Sequence, residues 1–175
     1  MTLYALPLFL EDRNGSLTSG TEFTDLNDRL RLLYKRISNS SDLYMIYNLS
    51  HHSPGAYNMA LIALDFGLHT ITFDSGKHVV PMKKWCSKIS GGRKFVASDS
   101  QEYIWTWRAQ EGQEWTCTNT SGYLVAYYSL KLAGEPHYEG SSGCTLTIDE
   151  QFASLAPEYL ASLMIVRWSK ERGGV

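Results

Sequence analysis

Five histidines are the first place to look for chemistry, because imidazole titrates near neutrality and ligates metals. His51-His52 sits between Leu49 and Pro54, beside a turn. Adjacent strand residues point to opposite faces, so this pair does not readily hold one metal. No H-E-x-x-H or Cys-x-x-Cys spacing occurs, and no metal or other cofactor is expected. His137 lies in the loop over 134–143 with Glu135, Tyr138 and Glu139. A carboxylate can orient a histidine for proton transfer. His137, Glu135, His51 and His52 are therefore the acid–base candidates if the chain is an enzyme. His69 shares a predicted strand face with Ile71 and Phe73 and reads as a packed residue. Cys86, Cys117 and Cys144 are sparse and read as small core residues of strands. A reactive thiolate needs a basic neighbour, and only Cys86 has one close in sequence, at Lys83 and Lys84. There is no G-x-S-x-G elbow. Ser75-Gly76-Lys77 lacks the upstream glycine of a phosphate-binding loop, since position 71 is Ile.

Charge and aromatics offer a different chemistry. The formal net charge is −2, yet residues 75–95 carry six cations (Lys77, Lys83, Lys84, Lys88, Arg93, Lys94) and no acid. The rest of the chain holds ten cations against eighteen acids. Such a segment attracts phosphate, anionic lipid or nucleic acid, or serves to blunt exposed sheet edges. Trp85, Trp105, Trp107 and Trp115 crowd the middle third, as core filling or as an apolar wall. Lys83, Lys84, Trp85, Arg93, Lys94, Trp107 and Arg108 form the candidate ligand-binding set. The expected partner is an anionic lipid or small molecule. A nucleic-acid interface would need more exposed cations than this chain offers.

The elements that must position these residues are mostly strands. Of 175 residues, 43% are hydrophobic and 19% charged, with five Trp, eleven Tyr and six Phe. That excludes disorder and fits a single domain over 1–175. No run of about 18 apolar residues exists to span a membrane. The start lacks a basic n-region, so no signal peptide is expected and the predicted location is cytoplasmic. Tyr103, Trp105 and Trp107 alternate with Glu102, Ile104, Thr106 and Arg108, and Cys144, Leu146 and Ile148 alternate with Thr145 and Thr147. Turn pairs such as Asp74-Ser75-Gly76, Gly91-Gly92 and Ser121-Gly122 separate the runs. Strands are predicted near 3–9, 29–37, 42–49, 56–65, 69–73, 77–85, 93–98, 101–108, 114–118, 122–132 and 143–148. The segment 29–37 also reads as a short helix; 10–28 and 133–142 read as loops. Pro157 opens a C-terminal helix over 157–172 whose apolar residues surround it instead of forming a stripe. A helix of that kind is buried on all sides.

Many strands followed by one hydrophobic helix resemble the tubby-like barrel of tubby C-terminal domains, plant LURP-one-related proteins and phospholipid scramblases. Phe95-x7-Tyr103-x-Trp105, the two-sided strand 124–128, and Leu146-x-Ile148 leading to Leu163-Met164-Ile165-Val166 are similar to an uncharacterised fungal family of short proteins. The similarity spans 22–172. It implies a mainly β (α+β) fold, an antiparallel barrel of about 10–12 strands around the C-terminal helix. It transfers no functional residue, although tubby domains bind phosphoinositide head groups through basic side chains. The expected function is a cytosolic module that binds an anionic head group or small ligand. The alternatives are an enzyme with an apolar pocket in the barrel, or a lectin-like or defence protein.

Overall fold

The structure, a computed structural model, describes residues 6–50 and 59–173. The described residues form one antiparallel sheet of thirteen strands. Seven come first: β1 (Leu8–Asp12), β2 (Thr21–Asp25), β3 (Arg31–Arg36), β4 (Leu43–Asn48), β5 (Ile62–Asp65), β6 (Thr70–Phe73) and β7 (His78–Pro81). A one-turn helix, α1 (Met82–Trp85), follows. Then come β8 (Cys86–Ile89), β9 (Gly92–Val96), β10 (Glu102–Trp107), β11 (Trp115–Asn119), β12 (Leu124–Ser129) and β13 (Cys144–Ile148). A 3-10 turn over Glu150–Leu155 leads into α2 (Ala156–Glu171).

The sheet is two meanders joined by their first and last strands. β1 pairs with β13, with Leu8 opposite Ile148 and Asp12 opposite Cys144. The order then runs outward from β1 to β7 on one side and from β13 to β8 on the other. The hydrogen-bonded ladder does not close into the expected barrel, because β7 and β8 are its two edges. Pro81 explains why. It has no N–H to donate to a further ladder, and the chain after it turns into α1. Met82 N–H donates to the His69 carbonyl at 2.8 Å, which anchors that turn to the start of β6.

The sheet curls around α2, as an apolar-all-round helix requires. Tyr159 through Trp168 are all buried, and their partners come from widely separated strands. Tyr159 meets Phe95 and Tyr103 edge-on at 5.9 and 5.3 Å. Trp105 Nε1 donates to Ser162 Oγ at 2.8 Å, and that hydroxyl donates to the Tyr159 carbonyl at 3.0 Å. Trp168 stacks on Phe66 at 4.1 Å and touches Tyr44. Arg167 lies over the Tyr128 ring at 4.7 Å, with Asp12 3.9 Å away. Burying each large apolar side chain contributes about 1.5–3 kcal/mol, so α2 is the core about which the sheet is organised.

Several sequence expectations change. Residues 29–37 contain a strand, β3, and no helix. The expected loop over 10–28 contains β2 and the end of β1. The expected strand 77–85 is divided into β7 and α1. His69 is not packed on a strand face; it is an exposed turn residue with φ of 55° before β6. The C-terminal helix lies one residue from its expected place. Among the described residues no helix is long and apolar enough to cross a membrane.

Candidate functional site

The acid-free segment 75–95 folds into β7, α1, β8 and β9, so its cations bracket the open seam of the sheet. α1 sits in that seam, and its two ends face different openings. Met82 and Lys83 line one near the C-terminal end of α2. Trp85 lines the other, near the N-terminal end.

The opening near the C-terminal end is a cavity of about 200 Å³. Among the described residues its charged lining is basic: Lys83 from α1, Arg93 from β9 and Arg172 after α2, with His69 from the β5–β6 turn. Phe66, Met82, Ile165 and Trp168 supply its apolar wall. Strand register explains why Arg93 reaches it. Arg93 stands opposite Trp105, and Phe95 opposite Tyr103. Opposed residues share a face of the sheet, so Arg93 faces the helix with those buried aromatics. Its Nη1 donates to the Cys86 carbonyl at 3.1 Å. Arg172 lies over the Trp168 ring at 4.3 Å and reaches Asp42 at 3.5 Å. Asp42 is also held by Arg36 at 3.1 Å. Lys170 and Arg172 suit the negative end of the helix dipole.

The structure scatters the rest of the candidate set. Lys84 is exposed on α1. Lys94 points to the opposite face from Arg93 and pairs with Glu102 at 2.8 Å. Trp107 is covered by Lys170 at 3.6 Å and flanked by Arg108 at 4.7 Å, a separate aromatic–cationic contact. Glu135 and His137 are exposed in the 130–143 loop, and no hydrogen bond joins their side chains. His51 and His52 lie outside the described residues. Among the described residues no three His, Cys, Asp or Glu side chains group to hold a metal. The Cys86 thiol is pushed up to about 12 by burial, against the pull of Arg93, so Lys83 and Lys84 do not make it a thiolate.

His69, Trp168 and Arg172 are the lining residues that sequence reasoning did not gather. His69 is brought in by a turn between β5 and β6, and the other two by the end of a helix far along the chain.

The fold is thus an antiparallel sheet wrapped around a C-terminal helix, with a basic cavity where the sheet stays open. The chain belongs to the family of unknown function DUF6593, whose model matches residues 16–172. No curated protein and no solved structure matches it.

Proposed function

We propose that the protein is a binding module for a small anionic group, a phosphate or carboxylate, carried on a lipid head group or a free molecule. One observation carries this reading: the cavity at the C-terminal end of α2 has Lys83, Arg93, Arg172 and His69 in its lining and, among the described residues, no carboxylate. Cations around a partly enclosed cavity with an aromatic wall concentrate the field on an anion. Trp168 and Phe66 give its apolar portion a flat surface.

The same proposal takes the fold as tubby-like and the family relationship as the fungal one expected from sequence, acting in the cytoplasm. The support is the strand order ending in a helix buried on every side. Binding of pyrophosphate and of phosphatidylserine vesicles at low ionic strength tests the functional reading. Pyrophosphate binding weakened by salt supports a free anion; binding to vesicles alone supports a lipid. No binding of either overturns it.

An enzymatic reading rests on His78 and Glu158, which line a second cleft beside Trp85. Against it, α2 fills the interior where a deep reaction cavity would lie.

A further inference from the structure

We propose that the cleft at the N-terminal end of α2 is a second, independent site that binds a small amphiphilic organic cation, an aryl- or alkylammonium. The cleft exists because the sheet is open: β6 and β7 stand on one side, β9 on the other, with α1 between. Its volume is about 490 Å³, within the usual span of small-molecule sites, about 300–1,000 Å³.

The walls are apolar and aromatic. Trp85 meets Phe73 edge-on at 5.4 Å and Phe95 at 5.2 Å. Val80 and Ile62 extend this surface. The charge is the reverse of the basic cavity's. Asp74 and Glu158 line the cleft, with His78 near Phe73 at its rim, and among the described residues no Lys or Arg does. Glu158 is fixed in place, because Ser98 donates to it from both its backbone N–H and its hydroxyl. Burial raises the Glu158 pKa despite those bonds, with Asp99 adding to the rise, and among the described residues of the lining no cation stands opposite the carboxylate. Glu158 also occupies the first turn of α2, where it already satisfies the positive end of the helix dipole. An anion therefore gains nothing there. An ammonium gains a carboxylate partner and the aromatic wall of Trp85 and Phe73, and aromatic rings attract cations as well as apolar groups.

The test is titration of the intact protein with phenethylammonium, followed by the Trp85 indole N–H signal. 2-Phenylethanol and 3-phenylpropanoate are the neutral and anionic comparators. We expect phenethylammonium to shift that signal and to bind at least roughly tenfold tighter than the alcohol. Glu158→Gln should reduce its affinity to the level of the alcohol. Asp74→Asn, at an exposed position, should weaken it about two- to fivefold and serves if Glu158→Gln does not fold. Equal or tighter binding of the alcohol or the carboxylate, a silent Trp85, or unchanged affinity in a folded variant overturns the proposal. None of these outcomes bears on the basic cavity.

Discussion

Lys83 and Trp85 are two positions apart on α1 yet line different cavities, one basic and one acidic. A four-residue helix laid in the seam separates them. The two halves of one candidate site, a cation and an aromatic, therefore belong to opposite ends of α2.

The bond between Trp105 and the helix gives a first prediction. Ser162 Oγ is the partner of a fully buried indole N–H. Ser162→Ala leaves that donor unsatisfied and should cost about 1–3 kcal/mol. Urea unfolding measures it, and an unchanged midpoint would contradict the packing described.

Gly92 gives a second. A Cβ there would lie 2.1 Å from the Trp105 carbonyl oxygen, a backbone atom that cannot swing away. Gly92→Ala should destabilise by about 1–3 kcal/mol or more by forcing β9 from β10. Thermal unfolding checks this, with Gly91→Ala as a contrast; its Cβ meets nothing but its φ of 78° strains it.

Asp12 is the polar counterpart. It is fully buried and accepts bonds from Thr21 Oγ1 at 2.6 Å, Tyr128 Oη at 2.9 Å and the Gly15 N–H at 2.9 Å. Arg167 lies 3.9 Å from it. Asp12→Ala should cost about 3–5 kcal/mol, since it leaves three donors without their acceptor and the buried Arg167 guanidinium with Glu114 as its remaining carboxylate. Asp12→Asn, which keeps one acceptor oxygen, should cost less. Equal stability of all three proteins by urea unfolding would contradict this.

The pH dependence has two limbs. Burial raises the Glu158 and Glu114 pKa values, opposed at Glu158 by Ser98 and at Glu114 by Arg167 and Arg108. In that range the folded state holds more protons than the unfolded one, so stability falls as pH rises through it. Glu22 and Asp25 run the other way. Burial pushes them up but is outweighed, by Arg31 and Thr24 at Glu22 and by Arg29 and the Phe9 N–H at Asp25. Their contribution is present above the ordinary carboxylate pKa and is lost as pH falls through the lowered values. Glu114→Gln should remove part of the high-side loss and leave the acid limb unchanged, as read from unfolding midpoints across pH 3 to 7, a window of roughly ordinary carboxylate titration. An unaltered profile would contradict it.

Much of this fold was legible because α2 is apolar on every side and most strands alternate. β2 was not, because its inward face reads Thr21, Phe23, Asp25, with one apolar residue in three. Its polar members are satisfied by partners that only the fold and the following turn supply: Thr21 by Asp12, and Asp25 by Arg29, the Asn27 N–H and the Phe9 N–H. α1 was hidden by Val79-Val80, which reads as a strand continuing through Pro81. At the candidate site, Lys83 and Arg93 stood out as cations of an acid-free segment. Lys94 carries the same local signal, and only strand register turns it outward to Glu102. His69 and Arg172 join through long-range packing that no local pattern encodes.

In the proposed function a defined basic cavity, and not net charge, binds the anion. Lys83→Glu and Lys94→Glu change the charge equally, but only Lys83 lines the cavity. Pyrophosphate affinity by calorimetry at low ionic strength decides between them. The account predicts a loss of about fivefold to tenfold for Lys83→Glu and almost none for Lys94→Glu. Equal losses in both, or none in either, would contradict it.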